Sequence, residues 1–207
     1  MAEDTIEAHG RAYKVNNPGG LIGRPIADGR PYEQKLLEHI YSEDHQGVGL
    51  DIGAHIGNHA LWMAAVCGLQ VHAFEPLHFE RLRENVELNG YEDRITVHPT
   101  ALGAKTTRAR LYGKDRLLVA EAGSIPVTTL DSFGIERVSV IKIDVEDMEP
   151  QVLLGGEETI RRDRPVIYAE ARDQHSHDLI ALVLEPWGYR HTMTAKTATP
   201  VERWAPA

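Results

Sequence analysis

This sequence predicts an α/β fold with a doubly wound, mostly parallel sheet and helices on both faces, and three observations carry that expectation. Strand-like apolar runs alternate with helix-length amphipathic segments from residue 48 onward, with no internal repeat and no linker. The run Val48-Gly49-Leu50 ends on Asp51 and enters a turn bracketed by Gly53 and Gly57, followed at once by the apolar helical stretch HALWMAAVCG. The run QVHAF then ends on Glu75, roughly two dozen residues beyond Asp51.

Taken in order, the first 30 residues are weakly patterned. Turn signals stand at Asn16-Asn17-Pro18-Gly19-Gly20 and Asp28-Gly29-Arg30-Pro31. Short strand-like pieces at Ala12–Val15 and Leu21-Ile22 predict a hairpin or flap. YEQKLLEHIY (32–41) has Leu36, Leu37 and Ile40 at helical spacing, which predicts a leading helix whose first residues, Tyr32 and Glu33, face the ligand pocket. After the second strand, residues 77–90 predict a helix closed by Gly90. Residues 94–103 predict a third strand and turn, and 104–130 alternate like strands around a loop from Gly113 to Gly123. VSVIKIDVED (138–147) is the clearest buried strand and ends in carboxylates. One helix is expected over 149–162, with Pro150 in its first turn. A strand at 165–172, a helix over 177–189 and a terminal strand pair complete the chain. The expected organisation is one domain over 1–207, with a flap and leading helix at 1–46 and the core at 47–207.

The totals narrow the function. The chain has 207 residues, 42% apolar and 26% charged, as in ordinary globular proteins. No apolar run approaches the roughly 20 residues a membrane helix needs. MAEDTIEAHGR lacks the basic-then-apolar order of a signal peptide, so a cytoplasmic location is expected. A formal charge of -9 opposes binding to nucleic acid or an anionic membrane, leaving a small polar molecule as the expected partner. The oligomeric state is not encoded in any recognisable feature. Cys67, the single cysteine, reads as a small buried hydrophobe.

A buried strand that ends in a glycine turn and feeds a helix cradles a nucleotide, and an acid at the tip of the next strand suits two ribose hydroxyls. A dinucleotide loop has glycines spaced G-x-G-x-x-G. Here Asp51-Ile52-Gly53-Ala54-His55-Ile56-Gly57 sets a bulky His55 at the middle glycine. Such a loop suits pyrophosphate poorly, and an acid opening it suits a cationic ligand. S-adenosylmethionine, with its sulfonium and α-ammonium and no phosphate, is therefore expected ahead of a nicotinamide cofactor.

DIGAHIGN, AFEP, TALG, TTLD, IKIDVEDMEPQVLLGG and PVIYAE, in this order from about Gly47 to Arg172, resemble the FkbM-type methyltransferases, a branch of the class I S-adenosylmethionine-dependent enzymes. The resemblance implies a Rossmann-like fold and methyl transfer, most often to a hydroxyl of a sugar or natural-product scaffold. It places the methionine part of the cofactor at Asp51, Gly53, Ala54, His55, Gly57 and Asn58, with loop N–H groups near its carboxylate and an acid near its ammonium. Adenine is placed beside Thr100, Ala101 and Leu102. Glu75 is the ribose acid by position, and Pro76 with Phe79 is expected to border the adenine. The family pattern D-V-E-G-x-E departs here, because Asp147 replaces the glycine.

Asp144, Glu146, Asp147 and Glu149 follow the fourth strand and Glu170 ends the fifth, where open α/β sheets hold their ligands. A carboxylate there suits a general base for a hydroxyl, with Asp144 or Glu146 ahead of Glu170; Asp144 is also placed against the cofactor. A divalent cation on these acids is a secondary expectation. Asp173 to Asp178, with His175 and His177, reads as a helix-starting loop, because no third ligand stands at metal-binding spacing. The rival readings are a nicotinamide-dependent oxidoreductase and a cofactor-binding relative without catalysis.

Overall fold

Both faces of the central strands are apolar, which buries them between two helical layers. The computed structural model describes residues 3–113 and 116–207. In chain order the elements are β1 (Glu3–Ala8), β2 (Arg11–Asn16), α1 (Gly20–Ala27), α2 (Gln34–Ser42), β3 (Val48–Ile52), α3 (Asn58–Ala65), β4 (Gln70–Phe74), α4 (Phe79–Leu88) and β5 (Ile95–His98). Next come β6 (Ala101–Leu102), β7 (Thr107–Tyr112), β8 (Arg116–Val119), β9 (Ile125–Thr128), β10 (Val138–Ile143), α5 (Glu149–Leu154) and α6 (Glu157–Asp163). The chain closes with β11 (Val166–Glu170), α7 (Gln174–Leu184), β12 (Tyr189–Ala195) and β13 (Val201–Pro206).

Seven strands form the main sheet in the order β12-β13-β11-β10-β3-β4-β5, in which β13 runs against both of its neighbours. The chain winds outward from β3 to β5, then returns to the other side of β3 at β10. That reversal between β3 and β10 opens a crevice at the carboxyl ends of the strands. One core lies under α2, α3, α4 and the β1–β2 hairpin, and includes Leu36, Trp62 and Leu82. The opposite core lies under α5, α6 and α7, and includes Leu153, Ile160 and Leu184. No helix of the described residues is long and apolar enough to cross a membrane.

Several sequence expectations need correction. The hairpin pairs β1 with β2, with Ile6 opposite Tyr13 and both buried, while Leu21 and Ile22 lie in helix α1. Two residues are too few for a strand without a partner, and Gly19 and Gly20 at positive φ turn the chain into the helix instead. The loop expected over 113–123 contains β8, the edge of a second sheet ordered β6-β9-β7-β8; residues 114 and 115 fall outside the described residues. The single helix expected over 149–162 is two helices, broken at Gly155-Gly156. A Cβ at Gly155 would overlap the carbonyl of Gly103, so the backbones meet where a helix would have carried side chains. Helix α7 begins earlier than expected, because Asp173 accepts a hydrogen bond from the Ser176 N–H at 2.9 Å and caps it.

Candidate active site

A cavity of about 660 Å³ opens at the carboxyl ends of β3, β4, β10 and β11. On one side it meets Gly53, His55, Glu75 and Pro76, with Thr100, Ala101 and Leu102 behind them. On the other side it meets Asp144, Glu146 and Glu170. The expected residues Asp51, Ala54, Gly57 and Asn58 do not line it; they hold the loop that does, and Phe79, expected at the adenine, opens helix α4 away from the lining.

The loop after β3 is fixed by its own hydrogen bonds. Gly53 takes φ +84°, and a Cβ there would overlap the Asp144 carbonyl, so β3 and β10 can approach only over a glycine. The N–H groups of Gly53 and Ala54 donate to the Phe74 carbonyl at 2.9 and 3.1 Å, and Gly57 N–H donates to Ala54 O at 2.7 Å. His55, itself at φ 49°, donates its N–H to Glu75 Oε2 at 2.9 Å. The backbone grip expected on a carboxylate is therefore not offered by these four groups, because the folded loop uses them internally.

Glu75 is 6% exposed and ties the two loops together. Its Oε1 accepts from Leu77 and His78 N–H at 2.6 and 2.9 Å, and Oε2 accepts from His55. A carboxylate has about four acceptor positions, so capacity remains toward the cavity.

Asp51 is buried at 1% exposure and accepts from the Ala60 N–H at 2.8 Å, capping α3 from the neighbouring strand. Burial raises its carboxyl above the usual range, opposed by His59, Lys142 and the Ala60 N–H. Asn58 clasps the backbone of Tyr32 in both directions, at 3.1 and 2.9 Å, and so brings the Tyr32 side chain to the cavity wall. Burial, with Glu33 and Asp144 nearby, pushes the Tyr32 phenol up to about 12. Glu33, also expected at the pocket, turns inward and stands 3.1 Å from His59 Nε2. Burial works against its charge, but His59 and Lys142 hold its carboxyl down at about 2.

The far side of the cavity is acidic, and most of its acids face cations. Asp144 Oδ2 lies 3.2 Å from Nζ of Lys142, a lysine that is 1% exposed near the carboxyl end of β10. Burial alone would lower that ammonium, yet Asp144, Glu33 and Asp51 together raise it and keep it charged. Glu146 pairs with Arg172, which also lies 3.4 Å from Asp147 and 3.5 Å from Glu170. Asp147, at the position of the family glycine, has φ +80° and pairs with Arg116 on β8 as well. The backbone here is left-handed, and the carboxylate joins two arginines. Glu149 is buried and accepts from the Val145 N–H at 3.0 Å, bracing this loop.

The patch at 173–178 stands away from the cavity. His177 meets Glu202 at 2.8 Å and stacks on Trp204, fixing β13 to α7, while His175 is exposed. Among the described residues no group of three or more His, Cys, Asp or Glu could hold a metal ion.

Sequence reasoning missed Pro18–Ile22, which line the cavity mouth, and Thr199 between β12 and β13. Both reach the site only through tertiary packing, so the turn signal at Pro18-Gly19-Gly20 does not by itself mark a cavity wall. Lys142 did have a local signal, a lone lysine inside the apolar run VSVIKI.

The strand order, the crevice at the strand ends and the acid-tipped second strand define a class I methyltransferase fold. A family model, the methyltransferase FkbM domain, matches residues 51–191, and the chain belongs to that family. An FkbM methyltransferase from Methylobacillus flagellatus is similar at 24% identity and TM-score 0.54, over 77% of this chain and 44% of that one. This chain thus spans less than half of that relative. The O-methyltransferase from Bacillus cereus, in complex with SAH, has 16% identity and TM-score 0.54, covering 84% and 79% of the two chains. The Pyrococcus abyssi tRNA (uracil-54, C5)-methyltransferase, in complex with S-adenosyl-L-homocysteine, has 14% identity and TM-score 0.52, covering 98% and 43%. No curated protein matches the chain.

Proposed function

We propose that this domain transfers a methyl group from S-adenosylmethionine to a hydroxyl of a small molecule, a sugar or natural-product scaffold. The observation that carries the reading is the division of one cavity into two chemically different ends. At one end Glu75 presents a carboxylate beside Pro76, Ala101 and Leu102, a setting suited to a ribose and its adenine. At the other, Asp144, Glu146 and Glu170 surround the place where a hydroxyl must lose its proton.

S-adenosylmethionine supplies a methyl group already activated on a sulfonium. The residues of this chain bind, orient and take a proton. A pyrophosphate fits poorly, because the loop N–H groups it needs already bond Phe74, Glu75 and Ala54. The formal charge of -9 supports a small acceptor over nucleic acid or a membrane surface, and a cytoplasmic location is part of the same reading.

Calorimetric titration with S-adenosylmethionine, S-adenosylhomocysteine and NAD, with and without magnesium, tests the cofactor. The expected result is binding of the first two, unaffected by magnesium, and none of NAD. Binding of NAD alone overturns the reading in favour of an oxidoreductase. An acceptor screen with isotopically labelled methyl groups then looks for a new O–CH3. Cofactor binding with no transfer to any hydroxyl favours the non-catalytic alternative.

A further inference from the structure

We propose that Glu170, rather than Asp144 or Glu146, is the catalytic residue that takes the acceptor's proton. This assignment rests on the methyl-transfer reading above. Three carboxylates meet the cavity at the acceptor end, and they differ in what neutralises them. Asp144 faces the buried ammonium of Lys142 at 3.2 Å, so its carboxylate already has a cationic partner. Glu146 sits on a left-handed backbone, φ 57°, and is engaged in an ion pair with Arg172. Glu170 is 6% exposed at the tip of β11, and its near cation, Arg172 at 3.5 Å, is shared with Glu146 and Asp147. It is the least compensated of the three.

The groups facing Glu170 come from four sides: Asp144 after β10, Glu149 on α5, Arg172 after β11, and Tyr32 ahead of α2. Thr199 adds a hydrogen bond. Burial, with Asp144 and Glu149 close by, pushes the Glu170 carboxyl up to about 7, against the pull of Arg172 and Thr199. A base is most effective when its proton affinity lies near the working pH. Neighbouring carboxylates driven apart by their settings divide the roles in this way.

In the step itself the acceptor oxygen bonds to the methyl carbon while the carbon–sulfur bond breaks. Sulfur keeps that electron pair, and the hydroxyl proton passes to a Glu170 carboxylate oxygen. Because Asp144, Glu146 and Asp147 already face cations, this end of the cavity favours an uncharged hydroxyl over an ammonium.

Carbon-13 NMR of the ligand-free protein with labelled glutamate carboxyls reads the titration directly. A resonance with a midpoint near pH 7 is expected, absent from E170Q and moved to lower pH in D144N, where a repelling charge is gone. In methyl-transfer assays, E170Q should lose on the order of 10²-fold or more in kcat while retaining cofactor affinity. The wild-type rate should fall as pH drops below about 7. A Glu170 midpoint near the ordinary glutamate value, or E170Q turnover close to wild type, overturns the assignment. A wild-type protein that binds no S-adenosylmethionine and transfers no methyl group overturns the methyl-transfer reading instead, and the carboxyl titration tells the two failures apart.

Discussion

Glu75 and Glu170 are the same residue type, each 6% exposed, each at the carboxyl end of a parallel strand facing one cavity. Their surroundings make them different groups. Glu75 is met by three backbone N–H donors, so its charge is stabilised by fixed dipoles and its position is locked. Glu170 is met by Asp144 and Glu149, so its charge is opposed and its carboxyl rises to about 7. Burial and residue type are equal in the two cases. The neighbours make Glu75 a fixed acceptor at one end of the cavity and Glu170 a crowded carboxyl at the other.

The contrast can be broken most severely at Gly53, which lets β3 lie against β10 and so sets the two ends of the cavity beside each other. Gly53→Ala combines overlap with the Asp144 carbonyl and a left-handed φ, and should destabilise by about 3 kcal/mol in denaturant unfolding. A loss under 1 kcal/mol, by the same scale of reasoning, would mean the strands separate easily.

Glu75→Gln should cost about 1.5–3 kcal/mol, because an amide nitrogen replaces one acceptor oxygen facing three donors. Cofactor affinity by calorimetry should fall with it. Unchanged stability and affinity would place the loops' anchor elsewhere.

The pH dependence of stability sharpens the Glu170 side. Its folded value, about 7, lies above the usual 4.5, so the folded protein keeps a proton that the unfolded chain has released. The resulting stabilisation is full below about pH 4.5 and is lost as pH rises through about 7. Relative to E170Q, the wild type should therefore lose roughly 2 kcal/mol between these limits, water in the cavity screening part of the charge. Urea midpoints at the two ends of the window decide it, and a difference independent of pH would refute it.

The smallest effect is expected at Asp147. Asp147→Gly relieves a left-handed backbone by about 1 kcal/mol but removes half-exposed pairs with Arg116 and Arg172 worth about 0.2–1 kcal/mol each. The net change should be near zero in thermal unfolding and should favour the variant at high salt, where ion pairs are screened. A large loss would show that Asp147 anchors the β8 strand.

Much of this molecule was legible in the sequence. The apolar runs at 48–52 and 138–143 became β3 and β10, because strands covered on both faces tolerate almost no polar residue and announce themselves. Gly53, His55, Glu75, Asp144 and Glu170 all line the cavity, because strand ends in an open α/β sheet are where ligands sit. Asp51 and Asn58 were legible as members of the loop but not as its braces, since their partners, Ala60 and Tyr32, could be known only from the folded chain. The helix break at Gly155 was missed for the same reason, as the obstacle is the backbone of Gly103, distant in sequence.

The sequence by itself determined the element order, the glycine turn after β3 and the set of carboxylates at the strand ends, because periodicity and local backbone sterics are short-range. Only the tertiary structure decided what those carboxylates are. Arg172 beside Glu146, the crowding of Glu170, and Glu33 and Asp51 near Lys142 all join residues from separate strands or loops, and proton affinity depends on charge separation in space.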